Sequence, residues 1–190
     1  YIDAIRCTDG ASCTAANATT QNQFVVLQYV NQSARLYGID LSGRMPLAKT
    51  DWGRFGLKGL VNYTHGENLD TDDGLYNVMP LNAKLTLTHQ QGGWDNSLEL
   101  VMARKKDDVS AVRNEIKMPG YGLFNLRASY SWKQARLDFG VENLFNKLYY
   151  LPTGGAYTGQ GKTMSINGIP WGIAVPGTGR SIYTAVSFKF

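Results

Sequence analysis

"RFGLKGLVNYTH", residues 54–65, alternates with a period of two. Phe55, Leu57, Val61 and Tyr63 share one parity, and Arg54, Lys58, Asn62 and Thr64 share the other. Side chains take opposite sides at successive positions only on an extended chain, so the stretch is a strand with one apolar and one polar face. "LFNLRASYSW" (123–132) sets Phe124, Leu126, Ala128, Tyr130 and Trp132 against Asn125, Arg127, Ser129 and Ser131. "ARLDFGVEN" (135–143) sets Leu137, Phe139 and Val141 against Arg136, Asp138 and Glu142. "NAKLTLTHQ" and "WDNSLELVMAR" alternate too. Nine runs of this kind are expected: 1–6, 24–31, 34–47, 52–65, 82–90, 94–104, 123–132, 135–144 and 181–190. Most have the roughly 9–11 residues with which a tilted strand crosses a bilayer.

Composition agrees. Of the 190 residues, 43% are hydrophobic, 12% aromatic and 18% charged, too apolar a mixture for a disordered chain. The 21 Gly and 11 Tyr suit strands and turns better than helices. No stretch of about 20 apolar residues occurs, so no transmembrane helix is expected. "YIDAIRC" opens like mid-strand, without the basic start of a signal peptide, and the chain is expected to be part of something longer. The net charge of +4 comes from scattered basic residues; the one run, "RKKDD" (104–108), cancels itself. A nucleic-acid partner is therefore not expected.

The polar parity carries Asp40, Arg44, Arg54, Lys58, Lys84, Glu99, Arg127, Arg136, Asp138, Glu142 and Lys189. The other is apolar and rimmed by Trp52, Trp94, Tyr130 and Trp132. A soluble β-sandwich and a membrane barrel both alternate in this way. Connection lengths separate them. "AKTD" (48–51), "QGG" (91–93) and "KQ" (133–134) are tight turns, whereas 66–81, 105–122 and 145–180 are long and rich in Gly, Asp and Asn. Short turns at one end and long loops at the other are the habit of outer-membrane barrels.

Three segments carry a family resemblance. "VENLFNKLYY" (141–150) resembles the penultimate strand of TonB-dependent outer-membrane receptors, with its Asn-Leu-Phe-Asp/Asn-Lys-x-Tyr close. "YVNQSARLYGIDLSG" (29–43) resembles a second family segment through Ala34, Arg35, Gly38 and Asp40, with Asp40 where Glu is frequent. "YTAVSFKF" (183–190) resembles the terminal signal read by the barrel assembly machinery, carried by Tyr183, Ala185, Phe188 and Phe190, with Ala185 where Gly is usual. The resemblance implies an all-β, antiparallel transmembrane barrel of about 22 strands. Residues 1–190 would be its last nine or so strands, with the plug domain and earlier strands lying outside the chain. Nine strands alone would leave backbone groups unpaired in lipid.

Other motifs lead elsewhere or nowhere. "AYTGQGKT" (156–163) imitates a phosphate-binding loop, but "MSINGIPWG" follows instead of the helix such a loop needs. Cys7 and Cys13 lie too far apart for tight metal-ligand spacing and have no nearby His. An outer-membrane protein passes through the oxidising periplasm, so a disulfide is expected. His65 and His89, near strand ends, read as structural. Met79, Met102, Met118 and Met164 suggest a soft metal, but their spacing is irregular. Nothing forms a catalytic arrangement, and neither an enzyme nor a resident metal or cofactor is expected.

The resemblance implies active import of a scarce metal chelate, ferric siderophore first, across the bacterial outer membrane. Cobalamin, haem, zinc or copper are alternative cargoes. TonB would act through the plug, and outer-membrane lipid and lipopolysaccharide would surround the wall. A plug-less passive or adhesive barrel, or a barrel-anchored enzyme, is the competing class. Tyr76 and Met79 on one loop, and Tyr157, Trp171 and Arg180 on the last, are the expected ligand-facing residues: broad aromatic contact with a cation for an anionic chelate. With the last strand ending in the periplasm, the three long loops lie outside, and strand parity puts the Cys7–Cys13 segment on the periplasmic side.

Overall fold

A computed structural model describes residues 2–6, 27–111, 113, 115–157 and 172–189. In chain order the strands are β1 (Ile2–Arg6), β2 (Leu27–Asn31), β3 (Ala34–Thr50), β4 (Gly53–Asn68), β5 (Asp73–Gly74), β6 (Asn82–Gln91), β7 (Trp94–Ala103), β8 (Tyr121–Ser131), β9 (Ala135–Glu142), β10 (Ala156–Tyr157), β11 (Ile173–Ala174) and β12 (Ser181–Phe188). Seven long strands make one antiparallel wall in the order β12-β9-β8-β7-β6-β4-β3, with β5 added to the outer end of β4. The wall is an open meander whose free edges, among the described residues, are β3 and β12. No described helix is long and apolar enough to cross a membrane.

The register makes the two faces concrete. Met45, Leu57, Leu87, Leu98, Leu126, Val141 and Ile182 pair in succession, one from each long strand, as an unbroken aliphatic row. On the opposite face Pro46, Gly56, Thr88, Ser97, Arg127, Gly140 and Tyr183 pair in the same way. Every polar residue expected on one parity within the paired strands falls on this second face. Among the described residues nothing packs over the apolar face: Leu41 is 60% exposed and Ile182 67%. A soluble protein rarely leaves so broad an apolar surface uncovered, and lipid is the solvent that suits it.

Aromatic rings gather at the ends of that face. Near the tight turns, Trp94 packs edge-on against Tyr130 at 5.0 Å, Tyr130 against Trp132 at 4.6 Å, and Phe55 against His89 at 4.8 Å. At the other end Tyr37 meets His65 at 5.2 Å. From Phe55 to Tyr63 the strand rises about 26 Å at ~3.3 Å per residue, comparable with the apolar band of an outer-membrane barrel.

All three turns lie at one end, at 51–52, 92–93 and 132–134, and the connections 69–81, 104–120 and 143–180 lie at the other. Gly92 supplies the positive φ (57°) that the two-residue β6–β7 hairpin requires. In β3 the register slips between Pro46 and Ala48, a bulge at the residue that has no N–H to give the ladder.

Two of the nine expected runs do not join the wall. β1 and β2 pair only with each other, and β2 is not the hairpin partner of β3. Gln32 and Ser33 are the two residues between the expected runs 24–31 and 34–47, a turn by that spacing, but the chain runs on through them. Leu69 donates its N–H to the Ser33 carbonyl (2.9 Å), and the Asn68 amide donates to Gln32 (2.8 Å), beside the first β3–β4 pair. The β1–β2 ribbon therefore stands at the long-loop end. This corrects the parity count: Arg6 and Leu27, which flank the segment holding Cys7 and Cys13, sit at the loop end and not at the turn end. Cys7 and Cys13 lie outside the described residues.

Candidate functional site

The long-loop end is where side chains converge. β9 stops at Glu142 because Asn143 leaves the strand with φ of 49°, and Asn146 follows at 51°, a region that Asn tolerates best among residues with a Cβ. Asn143 donates its side-chain amide to the carbonyls of Lys147 (2.8 Å) and Thr178 (3.3 Å), and its Oδ1 accepts the Lys147 N–H (2.8 Å). Its own N–H donates to Asn125 Oδ1 at 2.9 Å, and Asn146 Oδ1 accepts the Arg180 N–H at 2.9 Å. The Asn-Leu-Phe-Asn motif thus ties both feet of the last loop together and onto β8. Phe145 caps the join against Phe124, ring centroids 5.5 Å apart.

Loops 69–81 and 104–120 are locked by a buried ion pair. Lys106 is 1% exposed, and its ammonium donates to the Glu115 carboxylate. That carboxylate also accepts the N–H groups of Ser110 (2.9 Å) and Asn77 (3.1 Å). Asp73 in turn accepts the Ala111 N–H at 3.0 Å. A buried ion pair persists only when its remaining lone pairs are satisfied, as they are here. The Arg113 guanidinium stands 5.1 Å over Tyr76 and 5.9 Å over Tyr29, so both loops also reach the β1–β2 ribbon.

Between these loops the wall has a gap. β4 pairs with β6 up to Asn62 and with β5 from Glu67, which leaves 63–66 without a ladder partner on that side. A cavity of about 200 Å³ opens there, lined among others by Tyr63, His65, Met79, Arg104 and Asp108. His65 Nδ1 lies 3.2 Å from Asp108 Oδ2. The Lys105 ammonium, hydrogen-bonded to Asp107 at 2.7 Å, holds that carboxyl below the usual carboxylate range.

Polar ladders cross the other face below the loops. Glu99, 7% exposed, accepts from the Asn125 amide (2.9 Å) and Arg127 (3.1 Å) and lies 3.6 Å from Lys84. Arg127 also approaches Glu142 at 3.5 Å. Asn82 donates to Asn62 at 3.1 Å, and Asn62 donates to Asp40. These groups are arranged to hold one another and face whatever fills the concavity; none is arranged for bond-making chemistry.

The expected ligand residues are scattered. Tyr76 is exposed on the loop and covered on one face by Arg113, while Met79, three residues on, lines the cavity. Arg180 lies at the foot of the last loop, and no described contact joins it to either. Tyr157 is placed by its backbone, opposite Ile173 in the β10–β11 ribbon. The phosphate-loop look-alike therefore begins in a strand pair, and Trp171 lies outside the described residues. Of the expected terminal signal, Tyr183 and Ala185 sit on the polar face and Phe188 on the apolar face, 66% exposed; Phe190 lies outside the described residues. His89 is structural as expected, within 2.7 Å of the Trp52 carbonyl.

Sequence reasoning read His65 as structural and missed Lys106, Asp108, Arg113 and Glu115. Lys106 and Asp108 lie in a charge run that looks solvated until its partners are folded against it. Among the described residues no cluster of three His, Cys, Asp or Glu side chains has metal-binding spacing.

No curated protein sequence matches the chain. Among solved structures, one described as "Copper transporter OprC" superposes with a TM-score of 0.75 at 26% identity, over 87% of this chain and 25% of that one. The chain thus spans a quarter of the length of that structure. The model of the family described as "TonB dependent receptor-like, beta-barrel" matches residues 2–144, and with a wall, faces and loops of this form the chain belongs to the TonB-dependent receptor β-barrel family.

Proposed function

We propose that residues 1–190 are the C-terminal part of the barrel of an outer-membrane receptor that imports a scarce metal by TonB-dependent active transport. Members of the family are transporters of the Gram-negative outer membrane, not enzymes. The observation that carries the reading is the pairing of faces: an aliphatic row across seven strands backs onto a face of mutually paired charges, the arrangement of a wall between lipid and a wet lumen. Long loops outside would capture the cargo, a plug domain would close the lumen, and TonB would pull on that plug. Lipid and lipopolysaccharide would cover the apolar face. Tyr183, Ala185, Phe188 and Phe190 would be read by the barrel assembly machinery.

Two cargoes compete. Ferric siderophore is the expectation from the family resemblance, with Tyr76, Met79, Tyr157, Trp171 and Arg180 as loop contacts. Copper is favoured by a specific observation: a solved neighbour that matches 87% of this chain is described as a copper transporter. Metal uptake by a strain deleted for the full-length gene separates them. Loss of copper accumulation with normal ferric siderophore uptake supports copper, and the reverse supports the siderophore. Normal uptake of both, with TonB present, removes these two cargoes and leaves cobalamin, haem, zinc or a passive or adhesive barrel.

A further inference from the structure

We propose that the rim cavity beside β4 is a copper(I) site, with His65 and Met79 as its ligands and Asp108 as the residue that positions the imidazole. The inference deepens the copper reading above, but it rests on the donors in the cavity.

His65 carries the first argument. With Nδ1 3.2 Å from the Asp108 carboxylate, the neutral ring keeps its proton on Nδ1 and presents a lone pair at Nε2. Among the described residues Nε2 makes no hydrogen bond. The tilted contact with Tyr37 fixes the ring from a further side. This carboxylate–imidazole pair is the arrangement by which proteins orient a metal-binding histidine.

Met79 carries the second. It lines the same cavity as His65 and is half-buried. A thioether with an imidazole suits copper(I) and offers little to hard cations.

The remaining charges decide the valence. Asp107 is taken by Lys105 and Glu115 by Lys106, which leaves Asp108, itself 3.2 Å from the His65 ring, as the carboxylate beside the guest. Lys105 and Lys106 are neutralised by those same partners; Arg104, which has no ion-pair partner among the described residues, also borders the cavity, and its repulsion grows with the charge of the guest. A monovalent cation with low coordination number is disfavoured least. At about 200 Å³ the space is also below the roughly 300–1,000 Å³ of sites that enclose whole organic ligands, so the guest is a small ion and not a chelate.

The test uses purified full-length receptor in detergent, titrated anaerobically with copper(I) against a chromogenic copper(I) chelator. Wild type, His65→Ala, Met79→Leu and Asp108→Asn are compared, each shown to be folded by heat-modifiable migration. Wild type should hold one copper(I) more than His65→Ala. Met79→Leu, which conserves volume and keeps the test open if His65→Ala does not fold, should bind that ion at least tenfold more weakly, as should Asp108→Asn. Equal stoichiometry and affinity in wild type and Met79→Leu overturns the site, whatever cells take up. Zinc(II) displacing copper(I) from it at equal concentration overturns the assignment to a soft monovalent ion. Binding as expected in a receptor whose deletion leaves copper uptake normal upholds the site and sinks the transport reading instead.

Discussion

Tyr183 lies across the backbone of Gly140, its directly paired neighbour in the β9–β12 ladder, so closely that a Cβ at Gly140 would overlap the phenol ring. On the other side of Gly140 its pair is Arg127, toward which the ring reaches. The glycine is there because an aromatic side chain uses its space. Gly140→Val should destabilise the folded receptor by about 1–3 kcal/mol through overpacking. Adding Tyr183→Ala should recover part of that loss, because the obstacle is removed. Urea midpoints of detergent-folded protein measure both. An identical Gly140→Val penalty with and without Tyr183→Ala would mean that the ring is not the obstacle.

The two faces of β7 offer a sharper comparison. Leu98 sits at the centre of the seven-strand aliphatic row, and Ser97 beside it pairs with Arg127 on the polar face. Leu98→Lys should cost ~2–4 kcal/mol if that row lies in lipid. Ser97→Lys adds the same ammonium to a wet surface and should cost a fraction of that. Both are read by thermal or urea unfolding and by the folded fraction in outer-membrane preparations. Equal damage from the two would reverse or abolish the face assignment.

Why the wall was legible and the loop end was not follows from the range of the interactions. Alternation is local, so the period of two in 54–65 and 123–132 reveals strands without knowledge of their partners. The turn at 92–93 is equally local, since Gly92 meets the demand for positive φ that the two-residue loop itself sets. Gln32-Ser33 misled because it has a turn's composition, while its true neighbours, Asn68, Leu69 and Asp70, lie more than thirty residues away. Lys106 looked solvated inside "RKKDD" for the same reason: its burial depends on how Glu115 and loop 69–81 fold over it. His65 and Met79 are 14 positions apart with no period between them, and only the gap in the β4–β6 ladder brings them to one cavity. The Asn-Leu-Phe-Asn motif stood out as a motif, but its role in closing the last loop required Thr178 and Arg180 to be placed.

That closing role is testable at Asn143. Alanine there removes two donors and an acceptor and keeps a Cβ at positive φ. With buried polar groups left unpaired, Asn143→Ala should cost about 3 kcal/mol. Asn143→Gly relieves the backbone but not the hydrogen bonds, so its cost should be smaller and still above 1 kcal/mol. Denaturant unfolding gives the order. If glycine restores full stability, the side-chain bonds contribute nothing and only the conformation matters.

The Lys106–Glu115 pair distinguishes loop order from wall stability. Lys106→Ala leaves a carboxylate buried without its cation, a change that costs roughly 3–5 kcal/mol when it must be borne in place. The loops have a cheaper response, which is to open locally and let Glu115 reach water. The wall's unfolding midpoint should then move little, while loops 69–81 and 104–120 become cleavable by added protease. Replacing both partners by apolar residues is often nearly neutral, but not here. Glu115 also accepts the N–H groups of Ser110 and Asn77, so an apolar pair would orphan two donors. Lys106→Met with Glu115→Gln keeps an acceptor for those donors and removes the charge problem, and it should protect the loops better than Lys106→Ala. Limited proteolysis of full-length receptor in intact cells, with the cut sites mapped, reads all three proteins. If Lys106→Ala leaves both loops as resistant as wild type, the buried pair does not hold them together.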